Sequence, residues 1–93
     1  MKRIFITSSR TLKRKSNTIA FITNDGTRYV PYTEVESIYV LGEVNLNKRF
    51  LSFLSKAKIP IHFFSSRGRY LGSYLPSTHH VSGYLILKQV EHG

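Results

Sequence analysis

Ser37-Ile-Tyr-Val-Leu-Gly-Glu-Val-Asn-Leu-Asn-Lys-Arg-Phe-Leu-Ser-Phe-Leu-Ser-Lys-Ala-Lys-Ile-Pro-Ile-His-Phe-Phe64 spells out a strand, a glycine corner, a helix and a second strand. Residues 38–41 are a short apolar run of β-formers closed by Gly42, the pattern of a strand buried on both faces. Asn45 is placed to cap the helix that follows, since its amide oxygen can accept from a helix N–H that has no other partner. Asn47 is the second candidate. Leu46, Phe50, Phe53, Leu54 and Ala57 recur at helical spacing as one apolar stripe, so a helix is expected over residues 45–57. Lys48, Arg49, Ser52, Ser55 and Lys56 fall on the solvated side, and Lys56 and Lys58 suit the negative end of the helix. Pro60 lacks the N–H that a continuing helix needs, and the chain resumes as a strand with Ile59, Ile61 and Phe63 on one face. A crossover of this kind joins parallel strands of one sheet.

Ahead of this unit, residues 2–7 alternate, with Ile4 and Ile6 on one face, and Ser8-Ser9-Arg10 reads as a turn into residues 11–15, giving a first hairpin. Ser16-Asn17 breaks the chain before residues 18–23. Asn24-Asp25-Gly26 then supplies the positive φ angles of a tight hairpin turn into residues 27–30. Pro31 ends that strand, and residues 31–36 read as a turn or short helical bend. Beyond Phe64, Ser65-Ser66-Arg67-Gly68 turns the chain into an alternating run over 69–75 that Pro76 stops. Residues 81–92 read as a helix that begins near Ser77 or Thr78, yet Tyr84-Leu-Ile-Leu87 would set apolar groups all round it. The expected organisation is therefore a β-domain over 1–76, then a linker and the start of a helical domain over 77–93 whose packing partner lies further along. The fold class expected is mainly β with one crossover helix, as a small two-sheet, sandwich-like domain.

Ninety-three residues, 41% of them hydrophobic, bound this to one small domain with a thin core. The absence of cysteine excludes disulfides and thiolate zinc sites and fits a reducing compartment. No segment reads as a signal peptide or a membrane span, so a cytoplasmic protein without a membrane partner is expected. Fourteen Lys and Arg against five Asp and Glu give a formal charge of +9. Seven of those cations and only one acid lie in residues 1–33. A field of that sign favours polyanions through counterion release.

Catalytic chemistry is poorly supplied. Asp25 belongs to a turn, Glu34 and Glu36 to an exposed bend, Glu43 to the start of the helix and Glu91 to the end of the chain, so the acids do not converge on a metal. His62 alternates with core residues and reads as a packed, hydrogen-bonded histidine; His79-His80 lack a third ligand, and His92 faces solvent. No nucleophile elbow or phosphate-binding glycine loop occurs, and no catalytic or metal-ligating residue is expected here. Binding chemistry is better supplied. Lys2, Arg3, Arg10, Lys13, Arg14 and Lys15 gather on the expected first hairpin, and Arg67 and Arg69 flank Tyr70 and Tyr74. Cations beside aromatic rings are what phosphate pairing and base stacking use, and a free-standing β-domain that stacks single-stranded nucleic acid on Tyr70 and Tyr74 is the alternative reading.

The opening Ile4-Phe5-Ile6, Leu12-Lys-Arg-Lys-Ser-Asn-Thr18, Asn24-Asp-Gly26, Val30-Pro31, Ile38-Tyr-Val-Leu-Gly-Glu-Val-Asn-Leu-Asn47 and Ile59-Pro-Ile-His-Phe-Phe64 together resemble the N-terminal β-domain of the CRISPR-associated spacer-integration endonucleases. The resemblance runs from residue 1 to about residue 92 and is strongest over 30–64. It implies a parent protein that is a metal-dependent DNA endonuclease and integrase, using magnesium or manganese bound in a helical domain whose catalytic positions do not occur in these residues. It further implies a homodimer that pairs with DNA and with a second small CRISPR adaptation protein to insert foreign fragments as spacers in antiviral defence. In that scheme this chain dimerises and helps shape the DNA-binding surface.

Overall fold

A computed structural model describes residues 1–7 and 11–76 and, for the backbone, 84–87. In chain order the elements are β1 (Lys2–Ile6), β2 (Thr11–Lys15), β3 (Thr18–Thr23), β4 (Gly26–Pro31), a 3-10 turn (Tyr32–Glu34), β5 (Val35–Leu41), α1 (Lys48–Lys56), β6 (Ile61–Phe64), β7 (Tyr70–Leu75) and β8 (Tyr84–Leu87). They build a five-stranded sheet in the order β1-β5-β6-β7-β8 and a three-stranded sheet in the order β2-β3-β4. This is the mainly β, two-sheet architecture with one crossover helix that the sequence led us to expect.

The crossover forms as read: β5 and β6 pair in parallel, Ile38 opposite Ile61 and Val40 opposite Phe63, with α1 between them in sequence. Its boundaries differ. Asn47 is the cap, its Oδ1 accepting from the Phe50 amide at 2.8 Å, so the helix starts at Lys48. Asn45 acts through its backbone, its carbonyl accepting from the Leu12 amide at 2.9 Å. Phe50, Phe53 and Leu54 are buried as the stripe required; Ser55, expected on the solvated side, is buried with them. The helix ends with Lys58 in the left-handed conformation at φ 61°. The Ile59 amide donates to Leu54 (2.8 Å) and the Lys58 amide to Ser55 (3.1 Å), which is the paired closure that glycine usually serves.

One core lies between the inner faces of the sheets and α1, made of Ile6, Leu12, Ile19, Phe21, Val30, Val35, Ile38, Val40, Phe50, Phe53, Leu54, Ile59 and Ile61. Removing a large side chain of this kind from water is worth roughly 1.5–3 kcal/mol, so α1 is held by its three apolar residues rather than by its nine-residue length. In the Asn24-Asp25-Gly26 hairpin, Thr23 faces Gly26 and the positive φ, 138°, falls on Gly26 and on neither Asn24 nor Asp25.

Three expectations are corrected. The first hairpin does not form: β1 runs parallel to β5, Ile4 opposite Ile38 and Ile6 opposite Val40, while β2 pairs with β3 in the other sheet. Pairing with β5 sets Ile4 and Ile6 beside the buried Ile38 and Val40, which a hairpin with the Lys-rich β2 cannot offer. The helix expected over residues 81–92 is replaced at Tyr84–Leu87 by strand β8, antiparallel to β7; the remainder of that stretch lies outside the described residues. Four consecutive apolar residues carry no period that separates helix from strand, and β7 offered a hydrogen-bonding edge. Finally, residues 38–41 are not buried on both faces: Ile38 and Val40 are fully buried, whereas Tyr39 and Leu41 are half-buried on the outer face.

Candidate nucleic-acid interface

The expected binding residues divide between the two sheets. Lys2 and Arg3 lie on β1 in the five-stranded sheet; Lys13, Arg14 and Lys15 lie on β2 in the other, so they do not share a strand pair. Lys2 Nζ is 3.3 Å from Glu34 and Arg3 Nε 3.7 Å from Glu36, which gives the acids of the bend a partner. With about half of each side chain exposed, such pairs contribute little to stability, but they neutralise the local field. Arg10 lies outside the described residues.

On β2 the alternation separates its three cations. Arg14 shares a face with buried Leu12 and turns toward α1, its Cζ 4.5 Å from the centre of the Phe53 ring and its Nε donating to the Ser16 carbonyl at 2.9 Å. Lys13 and Lys15 project from the opposite face, beside Ala20 and Thr18 of β3. None of the three is in an ion pair among the described residues. α1 adds Lys48 and Arg49 at its first turn, and Arg49 lines a cleft with Lys13 and Arg14 of β2. Arg49 was missed because helical periodicity places it on the solvated side and carries no sign that β2 lies next to it.

Arg67 and Arg69 sit in the β6–β7 turn, both exposed. Ser65 organises this turn: its Oγ accepts from the Arg69 amide at 3.1 Å and from the Arg67 amide at 3.3 Å, while its own amide donates to the Arg69 carbonyl at 2.8 Å. The backbone is thereby fixed with the guanidinium groups directed to solvent. Tyr70 and Tyr74 do not form one platform. A bulge sets Phe64 opposite Tyr70 but Phe63 opposite Gly72, so the two tyrosines emerge on opposite faces. Tyr74 packs against the core, and Tyr70 shares a 2.6 Å hydrogen bond with Ser73 Oγ. This removes the paired stacking surface of the alternative reading.

The outer face of the five-stranded sheet instead carries an aromatic row along one register, Phe5, Tyr39 and His62 on β1, β5 and β6. Ring centres lie 4.7 Å apart for Phe5–Tyr39 and 5.0 Å for Tyr39–His62, and Phe5 is 63% exposed. His62 is the packed, hydrogen-bonded histidine the pattern implied, its Nδ1 2.7 Å from Ser73 Oγ. Desolvation by burial pushes its pKa below 6.5. Among the described residues no group of three or more His, Asp or Glu is placed to hold a metal ion, and no helix is long and apolar enough to cross a membrane. His79, His80, His92 and Glu91 lie outside the described residues.

Comparison with known proteins bears on what this surface serves. The CRISPR-associated endonuclease Cas1 of Thermotoga maritima is 53% identical over 92 residues, a match covering 99% of this chain and 29% of the relative. The chain therefore spans under a third of the length of that relative. A solved CAS1 protein structure from Thermotoga maritima superposes with a TM-score of 0.79 at 51% identity, over 85% of this chain and 25% of that one. Two more distant structures share the fold alone: a TtCas1–DNA complex (TM-score 0.74, 10% identity, 85% of this chain and 30% of that one) and a partial Cas6-RT-Cas1–Cas2 complex (TM-score 0.74, 15% identity, 83% and 24%). Residues 4–93 match the family described as CRISPR associated protein Cas1, and with a relative identical at over half its aligned positions, the chain belongs to that family.

Proposed function

We propose that this chain is the N-terminal β-domain of a CRISPR-associated endonuclease and integrase that inserts foreign DNA fragments as spacers. The observation that carries the reading is the family match over residues 4–93 in a chain that covers 29% of its Thermotoga maritima relative. A helical domain holding the catalytic residues and a divalent metal, magnesium or manganese, would follow in the parent protein. The pairing of β8 with β7 supports a β-domain that reaches to about Leu87. Its work is to dimerise and to present cations to DNA and to a second small adaptation protein, in a cytoplasmic complex. The DNA complex and the Cas2-containing complex of fold relatives support those partners. Lys13, Arg14, Lys15, Arg67 and Arg69 are the described cations free of ion pairs that the sequence nominated for this work; Lys2 and Arg3 are weaker candidates because Glu34 and Glu36 engage them.

Two measurements on the purified chain test this. Sedimentation equilibrium is expected to give twice the monomer mass, and binding to labelled duplex DNA is expected to weaken steeply as salt rises. A strict monomer at high concentration removes the dimerisation half of the reading. Salt-independent or absent DNA binding removes the other half.

A further inference from the structure

A cleft of about 310 Å³ separates β2 from the first turn of α1 and is lined by Lys13, Arg14, Asn47, Arg49, Phe50 and Phe53. Half of that lining is cationic, and no ion pair among the described residues uses any of these cations. Arg14 is positioned by its contact with Phe53 and its bond to the Ser16 carbonyl. Those contacts occupy the guanidinium face and Nε, leaving both Nη groups to donate elsewhere. Arg49 arrives from a helical turn that contains no acid, where the aligned peptide dipoles make added positive charge unfavourable. The Asn47 side-chain oxygen is already engaged by the Phe50 amide. Cations from two separate elements thus converge on one cleft against their mutual repulsion, with no carboxylate in its lining to relieve it.

We propose that this cleft holds a backbone phosphate of DNA, with Arg14 and Arg49 as forked donors. The inference rests on the DNA-binding reading above and goes beyond it by naming the atoms bound and a residue, Arg49, that the sequence reading set aside. Guanidinium forks match the paired oxygens of a phosphodiester. Contacts confined to phosphate position the nucleic acid without reading its bases, so this site is indifferent to sequence.

The test is anisotropy of two labelled duplexes of unrelated sequence, titrated with the 93-residue chain across a salt series. Replacing both Arg14→Gln and Arg49→Gln is expected to make the log–log salt slope shallower by about 1.8, two contacts at about 0.9 each, and equally so for both duplexes. Lys56→Gln with Lys58→Gln, at the other end of the helix, is expected to keep the original slope. Arg14→Lys keeps the charge and loses the fork, so its slope is retained while affinity falls several-fold. An unchanged slope in the Arg14/Arg49 variant, or an equal change in the Lys56/Lys58 variant, overturns the cleft while leaving DNA binding in place. Failure of the unmodified chain to bind either duplex overturns the wider reading as well.

Discussion

Substituting the two asparagines ahead of α1 separates the structure from the pattern. Asn45 and Asn47 both stand where a helix cap belongs, and only Asn47 caps: its Oδ1 accepts from the Phe50 amide at 2.8 Å. Asn47→Ala removes that acceptor. Phe50 is 3% exposed, so water replaces the lost partner poorly and the cost lies above the low end of the usual range for a cap. We expect a loss of about 1 to 1.5 kcal/mol, which for a domain of this size lowers Tm by roughly 4 to 12 °C. Asn45→Ala is expected to cost little, because its contribution is a backbone carbonyl accepting from the Leu12 amide and alanine retains it. Asn47→Asp keeps the acceptor and adds a negative charge where Lys48 and Arg49 stand at the positive helix end, so it is neutral or stabilising. Urea denaturation followed by far-ultraviolet circular dichroism measures all three. A larger loss from Asn45→Ala than from Asn47→Ala would refute the cap assignment and the helix start that depends on it.

The other predictions concern a titration, a helix end and an ion pair. Burial holds the His62 pKa below 6.5, so below that pH the unfolded chain takes up a proton that the folded chain resists. The urea midpoint should therefore be unaffected by His62 well above pH 6.5, fall as the pH drops from the unfolded value of 6.5 toward the lower folded pKa, and level off below it; His62→Gln should remove that component. Lys58→Gly replaces a residue held at φ 61° and is expected to raise Tm by a few degrees, the relief of about 1 kcal/mol of strain being partly offset by glycine's greater freedom when unfolded. A fall in Tm would show that the Lys58 side chain contributes more than its backbone costs. A double-mutant cycle on Lys2 and Glu34 is expected to give a coupling no greater than about 0.5 kcal/mol, diminishing with salt. A coupling several times larger would mean that the pair is desolvated in solution.

The placement of charge has a functional consequence. If Lys2, Arg3 and the β2 cations shared a hairpin, as strand order alone suggests, the positive field would peak there. Instead Glu34 and Glu36 damp it on β1, while β2 and α1 together concentrate it in the cleft. Glu34→Gln or Glu36→Gln would restore charge on β1 without touching the cleft, so on the proposed DNA-binding reading either is expected to raise affinity for duplex DNA at low salt.

What the sequence determined by itself is what short-range physics can write. Gly42, the apolar stripe through Phe50, Phe53 and Leu54, Pro60 and the alternation of Ile59, Ile61 and Phe63 each act within a few residues, and the β5–α1–β6 unit formed as they dictate. Asn24-Asp25-Gly26 made its hairpin for the same reason, and the strongly basic composition was legible before any fold. The tertiary structure decided what depends on partners far along the chain. Ile4 and Ile6 of β1 pair with Ile38 and Val40, not with the neighbouring β2. One extra residue in β7 sends Tyr70 and Tyr74 to opposite faces, and the edge of β7 turns Tyr84–Leu87 into a strand. Arg49 meets Arg14 for a reason no periodicity encodes: the burial of Phe50 and Phe53 against the core brings the first turn of α1 against β2. Local hydrogen bonding and side-chain period select an element, whereas its neighbour is selected by which apolar faces and open backbone edges can be satisfied together.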